Sequence, residues 1–353
     1  MTTTHWLNRC HFGDCLETLR QMPDRLVQTC VTSPPYFGLR DYSGGAAEIG
    51  REKTPEEFVA KLVTVFREVR RVLRDDGTLW LNIGDSYAGA GPNRQTGFNG
   101  QSRSGKYGDG TDRRKPIIGF KPKDLIGIPW MLAFALRSDG WYLRQEIIWS
   151  KPNPMPESVT DRCTKSHEQI FLLAKSASYY CDMGAIKEPV APASVQRLSQ
   201  DVESQQGSFR VPGKTNGAMK AVGGARSKRD SFKRDDSKRA EAIPGQSVGT
   251  HREDREESDW PVDERNKRSV WTVSTKPYKG AHFATFPPDL IEPCVLAGAP
   301  AGGVVLDPFF GSGTTGQVAQ ALGRQFIGLE LNEAYKPLQD ERLRQPSLLL
   351  EAA

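Results

Sequence analysis

Residues 304–331, VVLDPFFGSGTTGQVAQALGRQFIGLEL, read as strand, glycine-rich turn, helix and strand. Two strands joined by a crossover helix lie parallel in one sheet, and ligands bind beyond their carboxyl ends. Asp307 and Glu330 then close neighbouring strands at one crevice, with Gly311-Ser312-Gly313-Thr314-Thr315-Gly316 between them. The rest of the chain is punctuated in the same way. A helix is expected at 14–20, with Asp14 as its cap, and a strand at 26–31. Residues 55–74 open on Pro55-Glu56-Glu57 and carry apolar residues at 58, 59, 62, 63, 66, 69, 72 and 73, which is the spacing of an amphipathic helix. Strands are expected at 78–83, 141–149 and 168–174, and helices at 125–137, within 282–297 and at 333–344. The pattern is that of an α/β fold with a mostly parallel sheet flanked by helices.

The glycine turn satisfies G-x-G-x-x-G, a weak signal on its own. A phosphate-binding NTPase loop needs Lys and a hydroxyl after its last glycine, where Gln317-Val318 stand. A nicotinamide-dependent oxidoreductase fits the local pattern, although little chain follows Gly316 to complete a dinucleotide fold. A nucleoside cofactor without phosphates fits as well. Asp307 would repel a pyrophosphate, Glu330 suits ribose hydroxyls, and the absence of Lys and Arg from 307–316 suits a sulfonium.

A second feature lies far upstream. The apolar strand near residue 31 stops at Ser33-Pro34-Pro35-Tyr36. Two prolines cannot join a ladder, so the corner is rigid, with a hydroxyl on one side and an aromatic ring on the other.

T-S-P-P-Y early and D-P-F-x-G-S-G-T-T late together resemble the permuted β class of amino-group DNA methyltransferases. GDCLETL (13–19), EIIWSKPNPMP (146–156) and HFATFPPDLIEPCVLAG (282–298) match further family segments in the same order. The resemblance covers about 1–86, 120–184 and 270–345. It implies a Rossmann-like fold with circularly permuted motif order, S-adenosyl-L-methionine as cofactor and double-stranded DNA as substrate. The catalytic corner is then Ser33, Pro34, Pro35 and Tyr36. The cofactor contacts are Asp307, Pro308, Phe309, Gly311, Ser312, Gly313, Thr314 and Glu330, with Asp14 near the adenine or methionine end and Phe283 and Thr285 lining the methionine end. Asp85 faces the same crevice. A discontinuous catalytic core would comprise 1–86, 116–186 and 269–353, with a flexible loop at 87–115.

The insertion 187–268 would then read the target sequence. RSKRDSFKRDDSKR (226–239) holds seven basic and three acidic residues, whereas HREDREESDWPVDER (251–265) holds seven acidic and three basic. Composition alone equally describes a solvated insertion.

Ser33 in the first motif position points to cytosine N4, with adenine N6 as the alternative. Cytosine C5 chemistry needs a thiolate, and Pro293-Cys294 falls inside an apparent helix, where Cys294 reads as core. A catalytically inactive DNA-binding module is the remaining alternative from another class.

The net charge of +5 permits a polyanionic partner without demanding one. No C-x-x-C pair exists among the six cysteines, so no metal site is expected. Without an apolar run of membrane length or a signal-like start, a cytoplasmic protein is expected. The resemblance leaves open a second copy of the chain and a cognate restriction endonuclease as partners.

Overall fold

The computed structural model describes residues 3–38, 48–88, 119–157, 159–191, 264–275 and 286–344. Most of the stretch expected as a loop, the bulk of the charged insertion, and Phe283 and Thr285 lie outside them. The chain divides into two compact units, 187–267 and the remainder.

The larger unit is an eight-stranded sheet between two layers of helices. Its strands are β1 (Arg9–Phe12), β2 (Val27–Thr32), β3 (Leu73–Ile83), β4 (Tyr142–Ser150), β5 (His167–Ala174), β8 (Val270–Thr272), β9 (Val304–Asp307) and β10 (Gln325–Glu330). They lie in the order β1-β10-β9-β2-β3-β5-β4-β8. All pair parallel except β5, which runs against both β3 and β4. The carboxyl ends of β2, β3, β4, β9 and β10 therefore share one edge, together with the start of β5.

Side-chain alternation explains why both faces are covered. Cys30, Leu79, Leu81, Phe171, Leu173, Leu306 and Ile327 join one core, with Leu19, Phe58, Leu62, Phe66 and Leu132 from helices α1 (Cys15–Gln21), α2 (Pro55–Val72) and α3 (Ile128–Ser138). Their sequence neighbours Val31, Trp80, Ile170, Leu172, Val305 and Phe326 join the other. That second core takes Leu290, Ile291 and Val295 from α4 (Pro288–Gly298) and Val318 from α5 (Thr314–Ala321). A period of two splits β2, β3, β5, β9 and β10 between the two cores, as a sheet buried on both faces requires.

Helix α2 shows how local chemistry sets these elements. Thr54 caps it by accepting from the Glu57 N–H at 3.2 Å, with Pro55 in the first turn. Such a cap is worth about 1 kcal/mol. A last helix, α6 (Lys336–Leu343), follows a single 3₁₀ turn at Glu333–Tyr335.

In the smaller unit the described residues form a two-stranded antiparallel pair, β6 (Glu188–Pro189) with β7 (Glu264–Arg265). Arg265 pairs with Glu188 at 2.9 Å and Lys187 with Glu264 at 3.4 Å. Among the described residues no helix is long and apolar enough to cross a membrane, and no cluster of metal-ligating side chains occurs.

Candidate active site

Strands β2 and β9 are parallel neighbours, so the proline corner and the glycine turn begin side by side. Thr32, the residue before Ser33, donates its hydroxyl to Asp307 Oδ1 at 2.6 Å. Thr315 donates to Oδ2 at 2.7 Å, and the Phe309 N–H donates to Oδ1 at 3.0 Å. Asp307 is buried, and all these partners belong to the protein. Burial pushes its carboxyl up to about 6, against the pull of the three donors.

Gly311 and Gly313 adopt φ of +52° and +89°, the left-handed region that glycine enters without a steric penalty. A Cβ on Gly311 would meet nothing closer than the Phe309 carbonyl oxygen at 4.0 Å, so this backbone borders open space. Gly316 and Gly328 have a different task. A Cβ at either would fall 2.7 or 2.4 Å from the Phe310 ring, which stacks on Phe326 at 5.5 Å. These two glycines make room for the aromatic plug beneath the turn.

Glu330 ends β10 and is half-buried. Its Oε2 accepts from the Gly311 N–H at 2.7 Å and its Oε1 from the Asn332 N–H at 2.9 Å. Burial raises its carboxyl above the usual range. Each oxygen retains a lone pair for a further donor. The Ser312 hydroxyl is buried with no partner among the described residues. Thr314 instead turns inward, where its oxygen accepts from Arg342 of α6.

Asp14 caps α1, accepting from the Glu17 N–H at 3.0 Å, and the adjacent Gly13 N–H donates to the Glu330 carbonyl at 2.9 Å. Asp85 accepts from the N–H groups of Gly127 and Ile128, each at 3.0 Å, so its carboxylate closes the amino end of α3. That work is structural and accounts for an acidic residue at this strand end.

In the corner, Pro34 is buried, while Ser33, Pro35 and Tyr36 are half-buried. The Tyr36 hydroxyl donates to Glu168 Oε2 at 2.6 Å, and Glu168 Oε1 pairs with Lys151. A Cβ on Gly84 would stand 2.6 Å from Tyr36 Cε2. Glu168 and Lys151 carried no motif of their own in the sequence. Lys151 lies within EIIWSKPNPMP, and that was the available signal.

Burial disfavours the thiolate at the cysteines around the crevice. Cys294 is buried in α4, and burial raises the thiols of Cys10 and Cys30 and pushes Cys15 up to about 12.

The described loop fits S-adenosylmethionine. An orphaned buried hydroxyl, open glycine backbone and a solvent-reachable carboxylate supply polar partners, and no cation occupies 307–316 to oppose a sulfonium.

Known proteins agree with this architecture. The cytosine-N4-specific PvuII DNA methyltransferase superposes with a TM-score of 0.55 at 16% identity, over 96% of this chain and 87% of its own. The Thermus thermophilus protein TTHA0409 in complex with S-adenosyl-L-methionine gives 0.52 at 21% identity, over 96% of both chains. At these identities the likeness shows the fold alone, a Rossmann-like methyltransferase fold. The Type II methyltransferase M.SmaI of Serratia marcescens is 42% identical over 332 residues, 94% of this chain and 89% of its own. A family model of N6/N4 type described as DNA methylase matches residues 27–341. The chain is a member of that family, an amino-group DNA methyltransferase that uses S-adenosylmethionine.

Proposed function

We propose that the enzyme methylates the exocyclic N4 of cytosine at a specific site in double-stranded DNA, and that it belongs to the permuted β class. The observation that carries this reading is the 2.6 Å contact between Thr32 and Asp307. It sets the corner 33–36 beside the turn 307–313, so one crevice can take both an extruded base and a cofactor. The order of these segments along the chain, corner first, supports the permuted class.

The cofactor supplies an electrophilic methyl group on a sulfonium. In this proposal Glu330 accepts from its ribose hydroxyls, and Gly311, Ser312 and Gly313 bind its amino-acid end. Pro308 and Phe309 line the approach. Asp307 holds the turn in shape from below, and Thr314 ties that turn to α6. Asp14 borders the same end through Gly13.

An exocyclic amine is a poor nucleophile because its lone pair is delocalised into the ring. Its N–H groups would donate to the Ser33 hydroxyl oxygen and the Pro34 carbonyl, drawing the nitrogen towards tetrahedral geometry. Pro35 keeps that carbonyl fixed, so little reorganises during reaction. Tyr36 stacks on the base, a contact worth roughly 1–3 kcal/mol. A neutral serine hydroxyl both donates and accepts, which suits the cytosine edge. The choice of base rests on Ser33, and the charged insertion 187–268 is assigned to target reading.

The test is methylation of unmodified plasmid DNA followed by digestion to nucleosides and mass spectrometry. N4-methylcytosine is expected. N6-methyladenine alone would overturn the choice of base, and no transfer of tritiated methyl would favour an inactive DNA-binding protein. Long-read sequencing with modified-base detection would then give the site.

A further inference from the structure

Tyr36 is held more firmly than a stacking ring needs for packing alone. Its hydroxyl donates to Glu168 Oε2 at 2.6 Å, and Asn82 Nδ2 donates to the same oxygen at 3.3 Å. Lys151 pairs with the other oxygen and stands 4.2 Å from the centre of the Trp149 ring. Gly84 leaves no space for a Cβ against the Tyr36 ring. The ring is thus fixed at its tip and against Gly84.

The ion pair behind it is mostly buried, with side chains of Lys151 and Glu168 only 17% and 13% exposed. Such a pair adds little net stability, because desolvation offsets the attraction. Lys151, Glu168 and Tyr36 come from three separate places, just after β4, the start of β5 and the corner after β2. A hydroxyl held by a charged acceptor anchors the tip of the ring, while the close approach of Gly84 limits rotation of its face.

We infer, on the functional reading above, that Glu168, itself held by Lys151, is a positioning residue that fixes where the Tyr36 ring stands against the extruded base. Glu168 touches neither base nor cofactor in this role. It acts through one hydrogen bond, so its loss should be equivalent to loss of the Tyr36 hydroxyl.

The experiment compares Tyr36→Phe, Glu168→Ala, Glu168→Gln and the Tyr36→Phe/Glu168→Ala double variant. Single-turnover transfer of tritiated methyl into unmethylated plasmid DNA is measured at saturating DNA, beside cofactor affinity and urea unfolding. Each of Tyr36→Phe and Glu168→Ala should slow transfer by about ten- to a hundredfold, the scale of a misaligned reacting group. The double variant should be no slower than either single one, to within about twofold. Cofactor affinity should stay unchanged in all of them. Glu168→Gln keeps an oxygen for the hydroxyl and should recover part of the rate. If Glu168→Ala does not fold, Glu168→Leu, which also lacks an acceptor, forms the same cycle with Tyr36→Phe. Wild-type rate in the glutamate variants, or losses that multiply in the double variant, would overturn the inference. A wild-type enzyme that transfers no methyl would overturn the functional reading instead, so the two failures are distinct.

Discussion

The hydroxyl of Thr32 donates to Oδ1 of Asp307 at 2.6 Å across the parallel strands β2 and β9. The two residues are 275 positions apart, and each adjoins a chemically distinct corner. Thr32→Val keeps the shape and deletes the donor, leaving a buried carboxylate with two donors. A loss of about 1.5–3 kcal/mol is expected, the worth of a hydrogen bond to a charged group. Urea unfolding checks it; an unchanged midpoint would mean that the bond contributes nothing.

Asp307 also gives stability a pH dependence. Its carboxyl is raised to about 6 from 3.8, so the folded state holds the proton more tightly than the unfolded one. The contribution is fully present below the unfolded value and fades as pH rises through about 6, amounting to about 3 kcal/mol. Asp307→Asn cannot titrate. The wild-type midpoint in urea should therefore fall relative to that of the variant between pH 4 and neutrality. A constant gap between the two would refute the raised value.

Ser33→Ala should reduce methyl transfer by at least about a hundredfold while cofactor binding persists, since in the proposed mechanism it removes one of the two acceptors for the amine. Tyr36→Ala should behave in the same way. Cofactor affinity measured by calorimetry alongside transfer separates this outcome from a general loss of structure.

Glu330→Gln retains the size of the side chain and removes the charge proposed to receive the ribose hydroxyls. Cofactor affinity should drop about ten- to a hundredfold, the equivalent of one charge-assisted hydrogen bond. Equilibrium dialysis with labelled cofactor reads it directly. Full affinity would move the ribose away from β10.

Gly328→Ala places a methyl group 2.4 Å from the root of the Phe310 ring, which is buried and stacks on Phe326. Overpacking of this kind costs about 1–3 kcal/mol. A lowered urea midpoint is the expected result, and wild-type stability would show that the plug has room to shift.

Much of the fold was readable in advance where physics is local. Helix α2 announced itself through Pro55, two glutamates and regular apolar spacing, and it runs Pro55–Val72, two residues short of the expected end. Strand β9 and helix α5 followed from the valines and glycines around Asp307. Strand β1 escaped notice because Arg9-Cys10-His11-Phe12 shows no apolar run, and β8 because Val270–Thr272 is a short edge segment. The separate tasks of the glycines were hidden for a deeper reason. Gly311 and Gly316 look alike in a motif, yet one borders open space and the other accommodates a buried ring. Likewise, nothing near Tyr36 in sequence announces Glu168, because the partner arrives 132 residues later on another strand. Pairings made by tertiary proximity leave no periodic trace.

The distribution of thiols has a practical side. Five of the six cysteines are buried or half-buried, whereas Cys163 is open to solvent. A maleimide dye added to the unaltered chain should settle first on that sulfur, giving a labelled enzyme without prior removal of any other cysteine.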